Sequence, residues 1–153
     1  MSPEEKVLRT EWETPQALFD ILNEATHFTV DVAASEKNTK CTKFYSKEQS
    51  GLEQSWKDEV VWCNPPYDDI ETWVNKALNS QARVVIMLLP ARMGSSWALK
   101  AFYHVARFVF IRGRVQFVPP EGVQASSNAE DSMLLVLSKE IGNKSTVDFL
   151  DTV

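Results

Sequence analysis

The sequence contains few of the residues that build metal centres, disulfide frameworks and glycine-rich ligand loops. Among its 153 residues there are two cysteines, two histidines and five glycines. Cys41 and Cys63 form neither a metal-ligand spacing nor a disulfide pattern, and the two histidines lie far apart in sequence. Two isolated cysteines are typical of a reducing compartment. The composition therefore predicts a cytoplasmic protein without a bound metal.

Long apolar runs and an excess of basic residues are also missing. The longest apolar run, residues 84–90, is far shorter than the ~20 residues that cross a bilayer. The polar first residues contain no apolar signal core. We therefore expect neither membrane association nor export. The formal net charge is −5, whereas proteins that hold nucleic acid through its phosphates are usually basic. Charge alone argues against tight, unassisted DNA binding, although residues 37–47 and 107–114 are locally basic.

The order of helical and strand-like patterns predicts an α/β protein. Apolar residues at helical spacing predict helices near residues 15–25, 70–78 and 96–106. Strand-like apolar runs occupy residues 28–33, 60–63, 84–89, 108–111, 115–118, 133–137 and 147–150, with a weaker pattern at 42–45. Early alternation and late clustering of strands predict a Rossmann-like, mainly parallel sheet with an antiparallel hairpin near the C-terminus.

No repeat or linker divides the chain. We expect a loose arm at residues 1–11 and a single domain at residues 12–153, with no separate target-recognition domain. Thr14 and Pro15 have the residue types of an N-cap and a first helical position. They therefore predict the start of the first helix.

The segment Asn64-Pro65-Pro66-Tyr67 is the most informative motif. Two prolines fix φ and push the preceding residues to extended geometry, so the segment forms a stiff arch after a strand. In open parallel sheets, ligands bind beyond the carboxyl ends of the strands, where Asp31 is also expected. The Asn64 side-chain oxygen and the Pro65 carbonyl can accept hydrogen bonds from an amino group, and Tyr67 can stack on a ring. A rigid strand-to-helix turn is the alternative, and the segment alone does not decide between them.

Further motifs occur in order around this arch. They are Trp12-Glu13-Thr14-Pro15, Asp31-Val32-Ala33-Ala34-Ser35, Gly51-Leu52 with Trp56, Leu89-Pro90-Ala91-Arg92, and Gly113-Arg114 with Phe117. With the arch they cover nearly the whole chain. In these motifs and in their order, the chain resembles the phage-type DNA N6-adenine methyltransferases, a Dam-like family that depends on S-adenosyl-L-methionine (AdoMet).

The resemblance implies a compact class I methyltransferase fold and transfer of a methyl group from AdoMet to the N6 amino group of adenine in DNA. It implies a duplex substrate whose target base is extruded. The residues that it implies for catalysis are Asn64, Pro65, Pro66 and Tyr67. Those for the cofactor are Trp12, Thr14, Pro15, Asp31, Ala33, Ala34 and Asn64. Arginine suits bidentate recognition, and the candidates for DNA contact are Arg92, Arg112 and Arg114; salt bridges or solvated positions are equally compatible with these three.

The resemblance also implies a phage or prophage origin, a location in the host cytoplasm and protection of DNA from restriction. Two alternatives remain at this point. The acidic charge and the absence of a recognition domain fit an AdoMet-dependent enzyme that acts on RNA or on a protein glutamine. Ala33-Ala34-Ser35 replaces the glycine-rich loop of larger methyltransferases, which fits a catalytically weak binding homologue.

Overall fold

The computed structural model of this protein describes residues 12–151. Its elements are α1 (Gln16–Thr26), β1 (Val30–Asp31), β2 (Val60–Cys63), α2 (Ile70–Leu78), β3 (Val84–Pro90), α3 (Ser96–Tyr103), β4 (Arg107–Ile111), β5 (Ser132–Ser138) and β6 (Thr146–Leu150). None of the helices in this range has the length and apolarity that a membrane crossing requires. The arm predicted at residues 1–11 lies outside the described residues.

The six strands form one mixed sheet in the order β1-β2-β3-β5-β4-β6. Strands β1, β2 and β3 are parallel neighbours, and β6 is parallel to β4. Strand β5 is antiparallel to both β3 and β4. The predicted α/β fold with a mainly parallel sheet is therefore confirmed. The antiparallel pair near the C-terminus consists of β4 and β5, and β5 lies inside the sheet because its residues are apolar on both faces.

Helices cover both faces of the sheet. Along β2 and β3, Val61 and Met87 face a core shared with α2 and α3, whereas Trp62 and Leu88 face a second core that contains α1 residues. Successive side chains of a strand point to opposite faces. Burial on both faces therefore explains why these strands are continuous apolar runs instead of alternating ones.

Three predicted strands differ from the structure. The first shortens to Val30–Asp31, and the weak pattern at 42–45 forms a single parallel bridge from Phe44 to Asp31. Residues 115–118 form no strand; Val118 makes one isolated antiparallel bridge with Glu13. The physical reason is that β4 already pairs with β5 on one side and with β6 on the other, so it has no free edge for residues 115–118.

Gly51 allows a close approach of two backbones beside the sheet. A Cβ atom at this position would lie 1.9 Å from the carbonyl oxygen of Val32 and 3.2 Å from the Trp73 ring. The Gly51 carbonyl accepts a 2.8 Å hydrogen bond from the Trp56 indole, and Trp56 stacks on Trp73 with ring centroids 6.3 Å apart. The Gly51-Leu52 and Trp56 motif is therefore a packing device that supports the residues following β1.

We predict that Gly51→Ala lowers the free energy of unfolding by about 3 kcal/mol, because a carbonyl oxygen of the backbone cannot yield as a flexible side chain can. Gly94→Ala is the matched control, since a Cβ there meets nothing within 4 Å; its effect should stay within about 0.5 kcal/mol. Urea unfolding followed by tryptophan fluorescence measures both. Equal stability of the two variants would contradict this account.

Candidate active site

The Asn64-Pro65-Pro66-Tyr67 arch borders a cavity among the described residues. The arch connects β2 to α2, and the Asp69 amide donates to the Pro66 carbonyl at 3.2 Å where the helix begins. The cavity has a volume of about 490 Å³, within the range of small-molecule sites. Its other walls are Trp12, Asp68, Arg92, Phe117 and residues 126–130. The arch thus presents its polar groups to a space of ligand size.

A hydrogen bond to Thr14 orients the Asn64 side chain. The Asn64 Nδ2 atom donates to the Thr14 hydroxyl at 3.1 Å. Among residues 12–151, neither Asn64 Oδ1 nor the Pro65 carbonyl accepts a hydrogen bond. Both acceptors are therefore available to an amino group.

The expectation that Thr14 caps α1 is wrong. Pro15 occupies the N-cap position with φ −55° and ψ 131°, and no side chain caps the helix. Thr14 is buried and its hydroxyl is directed to Asn64. A buried hydroxyl needs a partner, and the Asn64 side-chain amide is that partner. Thr14 therefore contributes to the site through Asn64.

Two aromatic rings form one wall of the cavity. Tyr67 and Phe117 meet edge to face, with ring centroids 6.2 Å apart and planes at 89°. The Tyr67 hydroxyl donates to the Leu88 carbonyl at 3.4 Å, and burial raises the pKa of Tyr67 so that the phenol stays neutral. Phe117 was not among the predicted site residues, although its position in the Gly113-Arg114 motif carried the signal.

Trp12 supplies an unpaired donor at the cavity. Its indole Nε1 atom is buried and has no hydrogen-bond partner among the described residues. Buried donors are rarely left unpaired unless a ligand or water completes them. Trp12 also lines the cavity, so its N–H group can donate to a bound molecule.

Asp31 lies at the carboxyl end of β1 and is 3% exposed. Its carboxylate accepts hydrogen bonds from the backbone amides of Lys40 at 3.0 Å and Ala33 at 3.4 Å. Burial raises the pKa of Asp31 to about 6, against the lowering effect of these two hydrogen bonds. Ala34 is held by its own amide, which donates to the Tyr45 carbonyl at 3.1 Å. Asp31, Ala33 and Ala34 do not line the cavity beside the arch.

The three predicted arginines all make ion pairs with acidic side chains. Arg92 binds Glu130 through two hydrogen bonds of 2.8 and 2.5 Å and lines the cavity. Arg112 pairs with Asp151 at 3.1 Å, and Arg114 lies 3.6 Å from Asp131. Neither Arg112 nor Arg114 belongs to the cavity lining. Contact with DNA stays a prediction for all three, because each guanidinium already has an anionic partner.

The sequence analysis also missed the loop at residues 126–130. Residues 126–129 bring Ser126, Ser127, Asn128 and Ala129 to the cavity, together with Glu130. No motif marked them, because a polar loop carries no periodic pattern. Between residues 12 and 151, no group of three or more His, Cys, Asp or Glu side chains could hold a metal ion.

Glu13 and Thr14 connect three parts of the site: the arch, the segment containing Phe117 and Val118, and the residues that follow β1. Thr14 contacts the arch, and the Glu13 backbone makes two 2.8 Å hydrogen bonds with Val118 beside Phe117. The Glu13 carboxylate binds the Lys40 ammonium at 2.5 Å, and the Lys40 side chain is only 3% exposed. Because the Lys40 amide also binds Asp31, this pair connects the N-terminal segment to the residues after β1. The Glu13–Lys40 ion pair therefore holds the segment containing Trp12 over the site.

We predict that Lys40→Met lowers the free energy of unfolding by about 2 kcal/mol, since it leaves the half-buried Glu13 carboxylate without its partner. The matched control is Lys100→Met, which removes the exposed Lys100–Glu71 pair and should cost no more than about 1 kcal/mol. Thermal and urea unfolding of both variants test this difference. Equal losses would show that burial of Lys40 contributes nothing.

The fold and the arch define a class: an α/β protein with a proline-fixed arch and a cavity of ligand size at the carboxyl ends of its parallel strands. Within this class, the chain belongs to the DNA N-6-adenine-methyltransferase (Dam) family, whose model matches residues 2–151.

Two phage proteins of the same name are similar to this chain. A DNA N-6-adenine-methyltransferase of Escherichia phage T1 is 31% identical over 153 residues, which cover 94% of this chain and 63% of the phage protein. One from Haemophilus phage HP1 is 28% identical over 132 residues, covering 82% of this chain and 76% of that protein. The chain thus spans less than two thirds of the length of the phage T1 relative. Among solved structures, a candidate RNA methyltransferase from Pyrococcus horikoshii aligns with 17% identity and a TM-score of 0.46, covering 72% of this chain and 62% of that one.

Proposed function

We propose that this protein transfers the methyl group of AdoMet to the N6 amino group of adenine in DNA. One observation carries the proposal: the two acceptors of the arch, Asn64 Oδ1 and the Pro65 carbonyl, are unoccupied and border a cavity with an aromatic wall. Membership of the Dam family selects adenine as the amino-bearing ring. The chain's relation to phage enzymes supports a role in the host cytoplasm, with protection of DNA from restriction as its purpose.

The chemical difficulty is that the adenine N6 lone pair is delocalised into the ring. Asn64 and Pro65 would each accept one N–H bond, which favours a pyramidal nitrogen and aims its lone pair at the methyl group. AdoMet, when bound, supplies an electrophilic methyl group on a sulfonium. The arch would hold the N6 nitrogen toward this methyl group, and the proton displaced from the nitrogen would pass to solvent. Positioning by the arch therefore supplies most of the acceleration.

Two features of the described residues support AdoMet as the cofactor. The Asp31 carboxylate can accept from an ammonium group, and the unpaired Trp12 indole N–H borders the cavity. Trp12, Thr14, Pro15, Asp31, Ala33, Ala34 and Asn64 would hold the cofactor. Asp31 and Trp12 approach the rim from different sides, and the Glu13–Lys40 pair keeps them together.

An adenine in duplex DNA is reached only after extrusion from the stack. Tyr67 would stack on the extruded base, and Phe117, which meets Tyr67 at 89°, would limit its movement. For DNA contact we propose Arg92, Arg112 and Arg114. Each would exchange its present carboxylate partner for phosphate, which makes binding weak and sensitive to salt.

We predict that the wild-type protein incorporates labelled methyl groups from AdoMet into adenine of mixed-sequence duplex DNA. Asn64→Ala should lower the rate at least about 100-fold, because one of the two acceptors that orient the amino group is lost. Asn143→Ala, at an exposed turn position, is the matched control and should retain full activity. RNA and a glutamine-containing protein serve as competing acceptors.

The outcomes separate the candidate functions. Labelling of RNA or protein in preference to DNA would replace adenine in DNA as the substrate. Cofactor binding without transfer to any acceptor would favour a catalytically weak binding homologue. Equal rates for the wild type and Asn64→Ala would rule out the arch as the catalytic element.

We also predict that affinity for AdoMet depends on the charge of Asp31. Because burial raises the pKa of Asp31 to about 6, the carboxylate is ionised above pH 7 and becomes protonated as the pH falls through 6. A neutral carboxyl group binds an ammonium weakly, so the dissociation constant should rise up to about tenfold per pH unit below 6. Calorimetry between pH 5 and 8 tests this dependence. Asp31→Asn should bind weakly at every pH, and a pH profile identical to that of the wild type would exclude Asp31.

A further inference from the structure

Strand β6 forms an unprotected edge of the sheet. It is the last strand in the order, and within residues 12–151 no other strand pairs with its outer side. Natural edge strands are usually blunted by lysine, proline or a bulge. Residues 146–150, Thr-Val-Asp-Phe-Leu, contain neither lysine nor proline, and all five pair in regular register with β4. The outer amide and carbonyl groups of β6 are therefore arranged to accept another strand.

An uncovered apolar surface adjoins this edge. Val147 is 59% exposed and Phe149 is 78% exposed. They pair in register with Phe108 and Phe110, and Phe108 belongs to the core beneath α2 and α3. Neighbouring residues of paired strands point to the same face. Val147 and Phe149 therefore extend that face of the sheet beyond the helix that covers it.

Helix α3 continues the same apolar surface. Its Lys100 pairs with Glu71 of α2 at 2.7 Å, so its opposite flank is directed toward β6. That flank carries Phe102, which is 50% exposed. The Phe102 carbonyl accepts a 2.7 Å hydrogen bond from the hydroxyl of Ser145, directly before β6. Phe102, Val147 and Phe149 thus form one surface, which we name the β6 surface.

We infer that the β6 surface binds a second copy of this chain, with the two β6 strands paired antiparallel about Asp148 and the two sheets joined into one of twelve strands. In this register Val147 lies opposite Phe149 of the partner subunit, and Phe149 opposite the partner's Val147. A two-fold axis perpendicular to the sheet makes both contacts at once and closes the assembly. The apolar side chains of both subunits then lie on one face.

The charges along β6 fit this arrangement. Lys144 precedes the strand and Asp151 follows it; in this register each Lys144 falls one residue from the position opposite the partner's Asp151, which also pairs with Arg112 of its own subunit. Asp148 would meet the partner's Asp148 at the axis. Its charge is balanced by Arg107, whose Nε atom donates to Asp148 at 2.7 Å. Like charges directly opposite destabilise a strand pair, and this neighbouring arginine removes most of that cost.

The size of the surface sets the expected affinity. The exposed parts of Phe102, Val147 and Phe149, together with the β6 backbone, amount to roughly 500–600 Å² per subunit, the low end for specific interfaces. A dimer in the micromolar range follows, visible at high protein concentration. Strands β3, β4 and β6 run in one direction, so the partner's active-site rim faces the opposite way. Each site therefore works alone, and methyl transfer per subunit should not depend on dimer formation.

Sedimentation equilibrium of the full chain from about 1 to 100 µM tests the dimer. The wild type should approach twice its 17.4 kDa mass at the upper end. Val147→Lys places a charge in the interface and should raise the dissociation constant at least about 100-fold. Ile21→Lys, at a 45% exposed apolar position of α1 on the other face, is the matched control and should dimerise like the wild type. Thermal unfolding verifies that both variants are folded.

A cross-linking variant tests the register. Asp148→Cys places two thiols opposite each other at the two-fold axis, and mild oxidation should give a covalent dimer. The native thiols do not interfere, because Cys63 is fully buried and burial raises the pKa of Cys41 to about 12. Adding Val147→Lys to this variant should abolish the cross-link. A wild type that stays monomeric at 100 µM, or a Val147→Lys variant that dimerises like the wild type, would overturn the inference.

Discussion

The parallel pairing of Asp31 with Trp62 is the contact on which the site depends. It places the carboxyl ends of β1 and β2 side by side, so that Asp31 and the Asn64 arch lie on the same rim of the sheet. Because side chains alternate across a strand, a slip of one residue would send Asp31 to the opposite face. Gly51 supports the register from outside by packing on Val32, and the Val32 amide donates to the Trp62 carbonyl at 3.2 Å. Precise placement of the polar groups is thus secured by apolar packing beneath them.

Local pattern predicted the elements well wherever burial dictates residue type. The runs at β2 and β3 and the apolar stripe of α2 are buried in the structure as expected. The position of β5 between β3 and β4 could not be predicted from the sequence, because strand order depends on long connections that leave no local sequence pattern. Residues 115–118 look like a strand because Val115 and Phe117 are apolar, yet these side chains pack against the core from a loop.

At the site, the sequence indicated the arch but not its supports. Thr14 has the residue type of a helix cap, and only the tertiary structure shows that its hydroxyl turns to Asn64. In the sequence, Lys40 is one of several lysines in a polar stretch, which predicts an exposed side chain. In the structure its ammonium is buried against Glu13. The ion pairs of the arginines also depend on the tertiary structure. Arg92, Arg112 and Arg114 each pair with a carboxylate that is distant in sequence. The basic patches of the sequence are therefore partly neutralised in the folded protein.

The bridge between Glu13 and Val118 has a consequence for the synthesis of the chain. The arch is translated early, whereas Phe117 and residues 126–130, which complete the cavity, are translated much later. Contacts between such distant segments form slowly because they close long loops. A nascent chain on the ribosome therefore carries the arch without a cavity around it. The cavity is complete only once the late loop has reached the N-terminal segment, so a truncated translation product lacks part of its lining.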